Sequence, residues 1–108
     1  MLYKFKSKAA GDLIMLGASG AQLLGIIGKQ PAAKGIIEPQ AMPAAMQAIK
    51  DAIAADEAVR AKAEAEALAA GKPPPHWEGV ISLRQRAWPM VEMMKLALAA
   101  DEPIVWGV

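Results

Sequence analysis

Between Ala54 and Gly79 the 108-residue chain offers only three large apolar side chains, Val59, Leu68 and Trp77. A segment of that length with so little to bury cannot build its own core, because removal of apolar area from water is the main favourable term in folding. The core must come from residues 1–53 and 80–108, so the two ends of the sequence have to meet. The apolar content of 55% overstates what is available, since 24 residues are alanine and bury little area each. Such a chain supports one small domain with a modest core.

The ends carry clear periodicities. Leu2–Ser7 alternates, with Tyr3, Phe5 and Ser7 on one side and Lys4 and Lys6 on the other, and Lys8 continues the lysine side. Period two with aromatic residues predicts a half-buried strand. Ala9-Ala10-Gly11 then turns the chain into Leu13–Leu16. This continuous apolar run predicts a strand covered on both faces, and hence the middle of a sheet. Gly17 ends it. Ser19 and Gln22 match the capping-box pattern and set a helix start at Ser19, with Gly28 as the stop. Ile36-Ile37 fits a short strand or a buried loop.

Pro39 and Pro43 each suit the first turn of a helix. Met42, Met46, Ile49 and Ile53 follow at helical steps and form an apolar stripe. After Asp56 the stripe fades into alanine and opposite-charge pairs four residues apart. A helix over Pro43–Ala70 would be about 42 Å long at 1.5 Å per residue. A globule of this size has a radius of gyration of about 13 Å, so the second half of that helix must project, bend back or fray. Gly71–Gly79, with its three consecutive prolines, reads as a stiff linker within the domain. Ser82 and Gln85 form a second capping box, opening a helix through Leu83, Ala87, Met90, Met94 and Leu98. Pro89 either kinks this helix or starts its main part. Ile104–Val108 closes the chain as a strand. The elements assemble as one α+β domain over residues 1–108. An antiparallel sheet of three or more strands, built from the N-terminal hairpin and the C-terminal strand, carries helices on one face. Residues 54–79 form a poorly packed helix end and linker.

Net charge is +1, distributed as +4 over residues 1–37, −3 over 38–71 and zero over 72–108. Near balance argues against a general nucleic-acid binder. The stripe Lys4, Lys6, Lys8 lacks an aromatic base-stacking platform beside it and reads as a solvated strand face. Lys4, Lys6 and Lys8 before the uncharged Leu13–Gly28 loosely mimic a leader peptide. Asp12 abuts that stretch, Gly17, Ser19, Gly20 and Gln22 interrupt it, and 16 residues are too few to cross a bilayer comfortably. The chain has no cysteine, which removes disulfides, thiolate metal sites and cysteine nucleophiles and fits a reducing, cytoplasmic compartment.

Chemistry-bearing groups are sparse. The Gly17–Gly20 loop matches neither the dinucleotide nor the P-loop pattern, and reads as a turn with a cap rather than an anion site. His76 has no second histidine or cysteine to complete a usual zinc set, and reads as a loop histidine. Arg84 and Trp88 stand four apart, which allows guanidinium stacking on the indole. Arg84, Arg86 and Trp88 therefore form either a site for an anion or partner, or an edge that covers the core. Met90, Met93 and Met94 form either an adaptable contact surface or core filling.

The opening Leu2-Tyr3-Lys4-Phe5-Lys6-Ser7-Lys8-Ala9-Ala10-Gly11-Asp12 carries a resemblance. So do Gly35-Ile36-Ile37-Glu38, the stretch from Ser82 through Arg84, Arg86, Ala87 and Trp88 to Pro89, and Val105-Trp106-Gly107-Val108. Together they resemble the bacterial domain-of-unknown-function family 1840 over nearly the whole chain. The resemblance implies a small bacterial cytoplasmic protein and brings no activity, cofactor or catalytic residue. Two functional readings follow. The first is a non-catalytic interaction or assembly module, a homodimer held by an open apolar sheet face, with no cofactor, metal, nucleic acid or membrane involved. The second is a small enzyme or anionic-ligand binder using Arg84, Arg86, Glu92 and His76, which requires those groups to converge in a pocket.

Overall fold

The computed structural model describes residues 2–73 and 81–107. Those residues form a four-stranded antiparallel sheet with three α-helices. The strands are β1 (Leu2–Ser7), β2 (Ala10–Leu16), β3 (Gly35–Ile37) and β4 (Ile104–Trp106), in the order β2-β1-β4-β3. The helices are α1 (Gly17–Ile26), α2 (Met42–Ala69) and α3 (Leu83–Ala99), with a 3₁₀ turn at Pro39–Ala41 before α2. The fold is the expected α+β class, and opposite ends of the chain share one sheet. β1 pairs with β4 through Phe5–Trp106 and Lys6–Val105.

Alternation on β1 sets the layers. Tyr3 and Phe5 are buried under the helices, whereas Lys4 is exposed on the other face. Met15, Ile37, Ile104 and Trp106 join the buried side. The Phe5 and Trp106 rings meet edge to face with centroids 5.7 Å apart, a cross-strand aromatic pair of the kind that adds to burial. Trp106 Nε1–H donates to the Ala32 carbonyl at 2.9 Å, and its ring lies so close over Gly35 that no Cβ fits there.

Three expectations are corrected. The hairpin turn falls at Lys8-Ala9, with Ser7 Oγ accepting from the Ala9 N–H at 3.2 Å, and β2 starts at Ala10. Leu13–Leu16 lies in an edge strand, with β1 and β4 in the centre. The helix after β2 starts at Gly17 with Leu16 as its N-cap and no side-chain cap bond. Strand passes into helix without a linker, so Ser19 already sits inside the first turn and cannot serve as the cap. Gly20 sets how closely α1 approaches β1, since a Cβ there would collide with the Tyr3 ring.

The second capping box holds. Ser82 Oγ accepts from the Gln85 N–H at 3.2 Å, and Gln85 Oε1 accepts from the Ser82 N–H at 3.0 Å. α3 runs unbroken through Pro89. An internal proline costs about 3 kcal/mol. Val91, Met90, Met94 and Leu83 are all buried on α3, at about 1.5–3 kcal/mol each, so packing outweighs the lost bond.

α2 is one continuous helix of 28 residues. Its buried residues are Met42, Ala45, Ile49 and Ile53, all in the first half. Of the three alternatives for its second half, the helix projects. The molecule measures 52 × 27 × 22 Å with a radius of gyration of 16.0 Å. Each helix closes with the same pair of backbone bonds, Lys29 to Leu24, Lys72 to Ala67 and Glu102 to Ala97 being the longer-range members. Gly28, Gly71 and Asp101 take the left-handed position that this closure needs. Most of the expected linker, and His76 with it, lies outside the described residues. Among those described, no helix is long and apolar enough to cross a membrane.

Candidate interaction site

The α3 N-terminus carries the sequence's charged candidates, and the fold sends them in different directions. Arg84 reaches α2, where its Nε and Nη2 both donate to Glu57 Oε1, at 2.8 and 2.7 Å. Its guanidinium lies 5.6 Å from the centre of the Trp88 ring, as the four-residue spacing allows, and Lys95 Nζ lies 5.4 Å from the same ring. Arg86 turns to α1, where Nη1 donates to Gln22 Oε1 at 2.6 Å. Glu92 pairs with Lys95 at 3.3 Å. The described members of the enzyme or ligand-binder set, Arg84, Arg86 and Glu92, therefore diverge, each bonded to a neighbour in the chain. Among the described residues no cluster of three His, Asp or Glu could hold a metal ion.

Met90, Met93 and Met94 are buried, at 0%, 4% and 0% exposure. The contact-surface alternative is corrected for them. Their face of α3 is the one laid against the sheet and α2, so they fill core. The lysine stripe stands on the helix-free face, where Lys4 pairs with Asp12 at 3.5 Å. Tyr3 and Phe5 are buried on the opposite face, so neither gives these lysines an aromatic platform. A cleft of about 580 Å³ opens beside them, with Lys6, Lys8, Asp12 and Glu102 at its rim and Pro103 and Val105 as its apolar part. Charges of both signs balance there, which gives no preference for one class of ion.

The feature that stands out is apolar. Eight large hydrophobic side chains are exposed among the described residues, and four of them gather at one edge: Leu2 at 61%, Ile14 at 58%, Leu16 at 69% and Ile81 at 61%. Register explains three. Leu2 faces Leu16 and Lys4 faces Ile14 across β1 and β2, all on the side away from the helices. Ile81 enters from the start of α3, sharing with Leu13–Leu16 a groove of about 300 Å³ that Ser19, Gln85, Arg86 and Pro89 complete. β2 pairs only with β1, which leaves its outer backbone flank open among the described residues. Sequence reasoning missed this edge by placing Leu13–Leu16 in the middle of the sheet. The available signal was aromatic: Phe5 on β1 and Trp106 on the terminal strand form a favourable cross-strand pair, which would have set β1 between the other two strands.

A two-layer α+β domain whose sheet ends in an apolar edge is the class that fold and site define. Within that class, the family model described as domain of unknown function (DUF1840) matches residues 1–106, and the chain belongs to that family. No curated protein and no solved structure matches it.

Proposed function

We propose that this protein is a non-catalytic assembly module that pairs with a second copy of itself through the β2 edge of its sheet. One observation carries the reading: Ile14 and Leu16 are exposed on the edge strand, with Leu2 opposite Leu16 across the ladder and Ile81 in the groove beside them. Monomeric proteins rarely leave large contiguous apolar patches uncovered, and such a patch marks a surface for a protein, membrane or ligand. The Leu13–Leu16 stretch carries no charge, so two copies can approach there without like-charge repulsion. A cytoplasmic setting belongs to the same proposal, supported by the cysteine-free sequence, and a bacterial one, supported by the resemblance in the sequence.

Native mass spectrometry of protein purified from its own host tests it. The expected mass is that of a dimer, and Leu16→Lys should shift the population to monomer, since a lysine on an edge strand opposes pairing. A chain that stays monomeric at high concentration in sedimentation runs counts against the reading.

A further inference from the structure

Resting on that self-association, we infer its geometry: two copies join backbone to backbone along β2, about a two-fold axis at Ile14, into one continuous antiparallel sheet of eight strands. The sheet has two edges. β3 has three residues, and so short an edge is poorly suited to templating another strand. β2 has seven, and its Leu13–Leu16 half carries no lysine and no proline. The ladder's irregularity lies between Phe5 and Ser7, opposite Ala10–Leu13, and from Leu13 to Leu16 the β1–β2 register is regular. Natural edges that stay free are blunted by such devices.

A strand laid along β2 satisfies the N–H and C=O groups that no other described strand takes. It also covers apolar side chains on both sides of the sheet, Ile14 and Leu16 away from the helices and Ile81 and Pro89 in the groove beside α3. Face-to-face stacking of two sheets is the competing arrangement. It would set the Lys4 and Lys6 rows of both copies against each other and strip them of water, which like charges oppose. Edge pairing leaves those lysines solvated.

Symmetry then limits the register. A two-fold axis perpendicular to the sheet keeps each side chain on its own face. Because side chains alternate, a residue can pair only with one an even number of positions away. The axis therefore passes beside a residue. At Ile14 it sets Ile14 opposite the partner's Ile14 and Leu13 opposite the partner's Met15. Asp12 then faces the partner's Leu16, and the two Asp12 carboxylates stay apart.

The absence of cysteine makes the test clean. Ile14→Cys, Lys6→Cys and Val105→Cys are made singly in the full chain, checked for fold by circular dichroism, and oxidised mildly. A disulfide needs Cβ atoms about 3.5–4.5 Å apart, so Ile14→Cys should give covalent dimer about tenfold faster than either face variant. Native mass spectrometry of the unaltered chain is read alongside. If that chain is dimeric but Lys6→Cys or Val105→Cys links first, or nothing links, edge pairing is overturned and self-association stands. If it is monomeric, or carries a different polypeptide in place of a second copy, both are overturned.

Discussion

Gly20 and Gly25 sit in the same helix and test how one missing methyl group is used. A Cβ at Gly20 would meet the Tyr3 ring, whereas at Gly25 nothing lies within 4 Å. Helix propensity alone favours alanine at both by about 0.5–1 kcal/mol. At Gly20 the collision must be relieved by moving a buried tyrosine whose hydroxyl donates to the Pro31 carbonyl at 3.1 Å. Overpacking of that kind costs about 1–3 kcal/mol and wins. Gly20→Ala should therefore lower the stability measured by urea unfolding, and Gly25→Ala should raise it. The same residue-scale logic shows why Arg84 was legible and Arg86 was not. A four-residue spacing places Arg84 over Trp88 wherever a helix forms, whereas Gln22, the partner of Arg86, is 64 positions away and only tertiary structure brings it near.

Two elements open with the same Ser-x-x-Gln signature and behave differently. At Ser82 both reciprocal bonds form. At Ser19 neither caps the helix, because β2 feeds α1 directly and the helix has already begun two residues earlier. Ser82→Ala should cost about 0.5–2 kcal/mol in thermal or urea unfolding, and Ser19→Ala should stay within about 0.5 kcal/mol of the parent. A capping motif specifies a helix start only when a non-helical residue is free to stand there, and that freedom depends on the preceding element. β1, α3 and the buried half of α2 were readable because each has one dry face and one wet face, which writes a period into the sequence. β2 was misread for a related reason. A continuous apolar run records that both faces avoid water without saying whether this chain or another covers them.

At the scale of the whole molecule, cohesion is uneven. The helices' buried side chains and the sheet's inward faces form one cluster, from Tyr3 and Phe5 through Ile49 and Ile53 to Met94 and Trp106. α2 beyond Ile53 contributes no buried residue. Amide exchange should follow that division, with slow exchange in β1, β4, α3 and Met42–Ile53 and fast exchange along α2 after Ala54. Uniform protection along all 28 residues of α2 would contradict it. The sheet's order carries one more consequence. Its central strands are β1, near the start of the sequence, and β4, at Ile104–Trp106. During synthesis the Tyr3 and Phe5 surface therefore waits without its neighbour until the ribosome has released residue 106. Closing the long loop between Phe5 and Trp106 is then what folding depends on. Until β4 pairs, that aromatic surface has no cross-strand partner on its β4 side, so a chain cut before Ile104 should lose the cooperative unfolding transition of the intact one.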